Sequence, residues 1–371
     1  MHILVITHRA VHGTGPARNI LTTLGALLEH TDARVSLVAE ELDQTVPWRA
    51  HPRFRWFSDF HPKRPAKWPA SLATLRRAAA DANVIWVPAN TASLLLAQSV
   101  RIGRPLVCGP NITPLPIRRA DSPGFVEAEL LCDRWIEASQ ARLDHVNRRV
   151  RSSRLERIPH AIDPRIFDPA LRSPTYWRGR GLTGAGPIAL FTGRDYALKG
   201  LAQLLDAMDL VNAGRSVPVQ LGVIGDITPA HAERVRNCPW AVATGRINLP
   251  EISTAFASAD FAVSPSSWES FSYVVLESQA SGLPAICGDR GGPPEIVADE
   301  KTGLVVKIAS DGDGLHLPDA PATLARAIER LADAPGLRER MGAAARERAV
   351  TEFSEKKIAE RMMSLFESLL R

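Results

Sequence analysis

Short, almost continuous apolar runs alternate along this chain with longer stretches whose apolar positions recur every third or fourth place. The runs fit buried strands and the periodic stretches fit helices. In the first half, strands are expected near 2–7, 34–39, 84–88, 105–108 and 134–138, with helices near 17–29, 91–101 and 140–150. In the second half, strands are expected near 188–192, 217–223, 240–243, 260–263, 284–287 and 303–306, with helices between them. Such alternation predicts parallel sheets with helices on both faces, here twice over. The stretch from Pro164 to Pro187 is dense in Pro and Gly and separates the two series. The expected organisation is a domain over 1–165, a second over 166–353, and a closing helix over 354–371 with heptad-like apolar spacing.

Composition agrees with this picture. At 371 residues, 45% hydrophobic and 23% charged, the chain is long enough for two domains, each with its own core. No apolar run reaches the length of a membrane span, and Ile3 to Thr7 is too short for a leader core and is broken by His8 and Arg9, so a cytoplasmic protein is expected. Cys108, Cys132, Cys238 and Cys287 form no C-x-x-C pair and read as free packing thiols.

Charge is less even. Residues 1–170 hold 23 Lys and Arg against 16 Asp and Glu, a net of +7, while the rest carry a net of −2. His61 to Arg77 sets Trp68 and Leu72 among Lys63, Arg64, Lys67, Arg76 and Arg77, a mixture suited to an anionic membrane surface. Arg148 to Arg157 is a second basic run; solvated faces are the plainer reading of each. Neither has an aromatic stacking pattern, which disfavours nucleic-acid binding.

The densest chemistry lies in SPSSWESFSYVVLESQASGLPAICGDRGGPPEIV, Ser264 to Val297. Phe261 to Val263 ends a strand, Pro265 to Ser272 is a loop, and Tyr273 to Ser281 is a helix closed by Gly282 and Pro284. A loop entering a helix N-terminus converges unpaired N–H groups on one point and suits a phosphate or diphosphate. Glu269 stands at the mouth of that site and Glu277 one turn inside the helix. The plainer alternative is a surface helix with two solvated acids, but Val274, Val275, Leu276 and Ala280 leave Glu277 little polar face. Upstream, Ile188 to Thr192 reads as a strand and Gly193 as its turn, placing Arg194 and Lys199 on one strand-to-helix loop. Two cations at the carboxyl edge of a parallel sheet suit a leaving group that gains negative charge.

The Glu269, Phe271 and Glu277 spacing resembles the retaining GT-B glycosyltransferases of the family 4 type, glycosyl transferases group 1, and so does the Gly193-Arg194 to Lys199-Gly200 element. The usual Gly after the Phe is Ser272 here. IPHAIDPRIF, with Ala161 for the usual Gly, LGVIGD, TGRINLPEI, GGPPEIV and KTGLVV resemble further family elements, so the likeness is nearly complete from Pro159 onward and thinner before it. The resemblance implies a GT-B fold, two Rossmann-like doubly wound parallel-sheet domains facing a central cleft. It implies a hexosyltransferase-type enzyme moving a sugar from a UDP- or GDP-linked donor to an acceptor hydroxyl with retention, in envelope glycan or glycolipid synthesis.

The implied catalytic residues are Arg194, Lys199 and Glu269. The implied donor-binding set is Gly13, Gly15, Gly225, Arg246, Ile247, Phe271, Ser272, Tyr273 and Glu277, with Glu277 on the ribose. His8, His12 and Asn111 are acceptor-side candidates; Gly109, Pro110 and Asn111 stand where many members carry a His, which leaves no firm base. No cofactor and no metal are required: Asp311 to Gly314 imitate the start of a calcium loop, but its twelfth position is Ala322. Expected partners are the nucleotide sugar and a carbohydrate or lipid-linked acceptor, with peripheral contact to an anionic membrane through the N-terminal domain. The rival readings are a nucleotide-sugar epimerase on the same fold and a silent nucleotide-sugar-binding or scaffold protein.

Overall fold

The structure is a computed structural model that describes residues 1–11, 15–89, 91–111, 132–147, 154–310 and 315–371. His12 and Gly13 lie outside the described residues, as do Asp311 to Gly314 and most of the second basic run. The chain forms two units, Met1–Ala161 with Glu355–Arg371, and Ile162–Ser354.

In the first unit, seven parallel strands are β1 (His2–Ile6), β2 (Arg34–Val38), β3 (Phe54–Phe57), β4 (Val84–Ala89), β5 (Leu106–Asn111), β6 (Arg134–Glu137) and β7 (Leu155–Arg157). Their spatial order is β3-β2-β1-β4-β5-β6-β7. Because side chains alternate along a strand, each strand feeds both faces. Ile3, Val5, Val35, Leu37, Val84 and Trp86 meet α1 (Gly15–His30) and the final helix through Ile358, Met362 and Phe366. Leu4, Ile6, Ile85 and Val87 point the other way, onto α2 (Trp68–Ala79) and α3 (Thr91–Gln98). A short helix, α4 (Gln140–Asn147), follows β6.

The second unit repeats the plan with β8 (Ile188–Thr192), β9 (Gln220–Ile224), β10 (Ala241–Ala243), β11 (Phe261–Ser264), β12 (Ala285–Gly288) and β13 (Gly303–Val306), ordered β10-β9-β8-β11-β12-β13. Its helices are α5 (Leu201–Asn212), α6 (Pro229–Asn237), α7 (Leu249–Ala257), α8 (Tyr273–Ala280), α9 (Pro293–Ile296), α10 (Ala320–Asp333) and α11 (Pro335–Glu352); α12 (Glu355–Ser368) returns to the first unit. The strand order reverses between β8 and β11, the topological switch point at which open α/β sheets bind ligands.

Two strands of the seven-stranded sheet and a helix went unread in the sequence. β3 lies at the sheet edge with one buried residue, Phe54, and β7 is a three-residue edge strand, so neither shows a continuous apolar run. The helix α2 hides behind prolines, yet Pro69 falls in its first turn, where a missing N–H costs nothing. Trp68 and Leu72 of this helix pack against the core, and the Trp68 indole donates to Pro62 O at 3.0 Å. The apolar half of the expected membrane-facing mixture is therefore turned inward, and only its cations, Lys63, Arg64, Lys67, Arg76 and Arg77, stand exposed.

Candidate functional site

Three loops at the carboxyl edge of the second sheet are held together by backbone contacts that need glycine. Gly200, at φ +73°, brings the end of the Arg194–Lys199 loop so close to the next loop that a Cβ there would lie 2.3 Å from Pro265 O. Ser267 N donates to Leu198 O at 2.8 Å, and His316 Nε2 donates to Pro265 O at 2.7 Å. On the far side, Gly292 N donates to Glu269 O at 2.9 Å, and a Cβ on Gly291 would fall 1.8 Å from the same oxygen. The GGPPE element thus positions the Glu269 loop, a role for which its sequence alone gave no signal.

This lacing unites the expected catalytic residues. Lys199 Nζ donates to Glu269 Oε1 across the β8/β11 switch point, and Ser266 Oγ donates to the same oxygen at 3.2 Å. Arg194 is exposed, its guanidinium over the Tyr196 ring at 5.0 Å, and makes no ion pair among the described residues. Thr192 Oγ1, Ser267 Oγ and Asp289 Oδ1, at the ends of or just after β8, β11 and β12, are buried atoms with no hydrogen-bond partner among the described residues. Buried polar atoms without partners are uncommon, and these three lie together at one sheet edge.

Helix α8 is capped by Ser272, whose φ of +94° is rare for a residue with a Cβ; its Oγ accepts from Val275 N at 3.5 Å. Phe271 is 1% exposed and packs edge-on against Phe353 at 6.1 Å, so its ring is committed to the core as the loop's anchor. Glu277 is also 1% exposed, on a helix buried from Val275 to Ala280. Tyr273 opens the helix.

The Arg194 loop is fixed by a residue that sequence reasoning passed over. Asp195 accepts from Thr228 N at 2.8 Å, Thr228 Oγ1 at 2.7 Å and His231 Nδ1 at 2.6 Å. Burial opposes its ionisation, but these bonds outweigh burial and hold the carboxyl below its ordinary range. The available signal was Thr228-Pro229, a cap and first-turn pair at the start of α6. Gly225, at φ +125°, lets the next loop pass Gly193 O where a Cβ would sit 2.0 Å away. Arg246 is exposed and its Nε donates to Asp226 at 2.6 Å, with half-buried Ile247 beside it.

In the first unit, Gly15 starts α1 in open space, and the Asn111 backbone pairs with Ala89. His8 follows β1, where its Nε2 meets Glu40 Oε2 at 3.1 Å.

Residues 186–334 match the family model described as Glycosyl transferases group 1. A D-inositol 3-phosphate glycosyltransferase of Paenarthrobacter aurescens is 31% identical over 206 residues, 51% of this chain and 46% of that protein. A GDP-mannose-dependent alpha-mannosyltransferase of Mycobacterium tuberculosis is 32% identical over 216 residues, 58% of this chain and 54% of that one. The chain therefore spans about half the length of the curated relatives it matches. Among solved structures, the sucrose-phosphate synthase of Thermosynechococcus elongatus aligns with a TM-score of 0.77 at 19% identity, covering 99% of this chain and 98% of that one. Anabaena HepE in complex with UDP-glucose aligns with a TM-score of 0.78 at 16% identity over 100% of both chains. At these identities the likeness shows the fold, which is GT-B. The stretch matched by the glycosyl transferases group 1 model, residues 186–334, carries Arg194, Lys199, Glu269 and Glu277 on the laced loops and helix of the second unit.

Proposed function

We propose that this protein transfers a sugar from a nucleotide diphosphate sugar, UDP- or GDP-linked, to an acceptor hydroxyl with retention of configuration. The observation that carries the reading is the Lys199–Glu269 pair across the switch point, with exposed Arg194 on the same loop as Lys199. Arg194 and Lys199 stabilise the departing diphosphate, together with the N–H groups at the start of α8. Lys199 carries three donors, so it keeps Glu269 and still reaches a phosphate oxygen. Glu277 takes the ribose hydroxyls; Glu269 orients Lys199 and faces the donor sugar. A donor phosphate oxygen removes the acceptor proton in a front-face substitution. The second unit is then the donor side and the first unit the acceptor side.

Arg194 and Lys199, with the start of α8, take the charge-neutralising role that a metal would otherwise fill. Activity is accordingly expected to survive excess chelator. No helix of the described residues is long and apolar enough to cross a membrane. A cytoplasmic site of action, peripheral on an anionic membrane in envelope glycan or glycolipid synthesis, rests on the exposed cations of the first unit.

The test is thermal unfolding with a panel of nucleotides and nucleotide sugars. Ligand at about a hundred times its Kd stabilises the native state by about 2.7 kcal/mol. A cognate nucleotide should raise the melting temperature of the wild type and, at the same concentration, less that of Glu277→Ala. If no nucleotide shifts the wild type, the reading falls. If one does but the only product is a new free sugar without an acceptor, the epimerase replaces it.

A further inference from the structure

The chain after β13 turns back on itself and reaches across the second sheet to the loops that hold Lys199 and Glu269. Ser310 N donates to Leu315 O and Leu317 N to Ile308 O, both at 2.9 Å, so two arms pair antiparallel with Ala309 opposite His316. Ile308 and Ala309 are fully buried and root the first arm; Ile308 Cδ1 lies 3.3 Å from where a Cβ on Gly288 would stand, at the end of β12. The second arm carries His316 past β12 to the loops that follow β11 and β8.

His316 meets those loops at their closest approach. A carbonyl oxygen only accepts, so Nε2 carries a proton and donates to Pro265 O at 2.7 Å. A Cβ on Gly200 would lie 2.8 Å from the same Nε2 and 2.3 Å from the same oxygen, so the imidazole, the Pro265 carbonyl and the Gly200 backbone converge on one spot. This carbonyl belongs to the Pro265–Ser266 peptide, whose planarity ties its direction to that of the Ser266 backbone N–H. Ser266 Oγ in turn donates to Glu269 Oε1 at 3.2 Å, the oxygen that Lys199 Nζ also reaches, and Ser267 N donates to Leu198 O at 2.8 Å. One side-chain bond from a separate segment thus bears on both loops, beside the residues that make the ion pair.

We propose that His316 is a positioning residue for the Lys199–Glu269 pair, holding the Pro265–Ser266 peptide so that Ser266 Oγ and Lys199 Nζ meet the same carboxylate oxygen. That the pair acts in glycosyl transfer rests on the reading above; the hold on the loop does not. His316 acts through the main chain, so its loss misplaces the pair and costs turnover more than donor affinity.

The experiment compares the full chain with His316→Leu, which keeps the bulk and removes the donor, and with His316→Gln, which keeps an N–H donor at similar reach. The first readout is amide hydrogen exchange at Ser267, with the amides of β8 as reference. The second is donor Kd by calorimetry and kcat for release of the nucleoside diphosphate, with UDP-glucose and GDP-mannose as the probes. In His316→Leu, exchange at Ser267 should quicken by roughly tenfold against the β8 amides, as expected for loss of one hydrogen bond at that junction. Turnover should fall by roughly tenfold to a hundredfold while donor Kd changes by less than about threefold. His316→Gln should restore both. Unchanged exchange at Ser267, exchange quickened equally in β8, or a loss of turnover that Gln does not recover overturns the proposal. A wild type that no nucleotide stabilises, but whose Ser267 amide answers to His316, would keep the hold on the loop and remove the transferase reading. Full turnover in His316→Leu would keep the transferase and remove the positioning role.

Discussion

Lys199 and Glu269 are 70 positions apart in sequence and bonded in the fold. Each residue was legible from its local motif, but their pairing was not, because it depends on strand order and on close approaches at Gly200 and Gly291. The pair makes the two substitutions unequal. Lys199→Ala removes a charge needed most as the diphosphate leaves, so turnover should fall by a hundredfold or more, about 3 kcal/mol, with donor affinity changed less. Glu277→Ala should instead weaken donor binding by roughly 2 kcal/mol through lost ribose contacts. Calorimetric donor Kd alongside kcat separates the two, and unchanged values in both variants would sink the assignment. Ser272 poses a different question at the same scale. Its positive φ costs on the order of 1–3 kcal/mol, whereas exchanging a Ser cap for Gly costs only a few tenths. Relief of strain is the larger effect, so Ser272→Gly should stabilise the protein by about 1 kcal/mol, seen as a higher melting temperature; a lower one would mean that the serine side chain is worth more than its backbone strain.

Elements were more legible than their joints. The buried strands appeared as apolar runs because helices cover both faces of each sheet; the edge strand Phe54–Phe57 did not, since only one of its residues is buried. Motif glycines could be counted in the sequence, but what each one prevents is a matter of the neighbouring element. Gly291 and Gly214 have nearly the same φ, +79° and +76°, yet a Cβ on Gly214 meets nothing within 4 Å and one on Gly291 strikes the Glu269 carbonyl. Gly214→Ala therefore tests backbone strain alone and should cost about 1 kcal/mol with activity intact. Gly291→Ala adds a displacement of the Glu269 loop, so it should cost more stability and lose most transfer activity. Equal losses in the two variants would show that the close approach does not set the catalytic loop.

For the whole molecule, the second unit was more legible from sequence than the first, because its motifs are short and local while the cluster of His8, Glu40 and His61 is assembled from three separate loops. The pH dependence of stability is likewise a property of the folded chain. His160 lies in IPHAIDPRIF, a run noticed only as a family element, and burial pushes its imidazole down to about 3. Unfolded, it titrates near its ordinary value of about 6.5. Between these values the unfolded chain binds the extra proton, so the contribution is fully present above about pH 6.5 and is lost as pH falls toward 3, with a slope approaching 1.4 kcal/mol per unit, roughly the linkage limit for one proton. Glu137 pulls the other way, since burial raises its carboxyl despite Arg142 and Trp135. The informative quantity is therefore the difference between wild type and His160→Gln, measured by urea unfolding at pH 7 and pH 5, where Glu137 contributes equally to both. The wild type should lose about 2 kcal/mol more than the variant over that interval. Parallel losses would mean that His160 takes up its proton in the native state and that the junction ending the first unit opens to solvent before the protein unfolds.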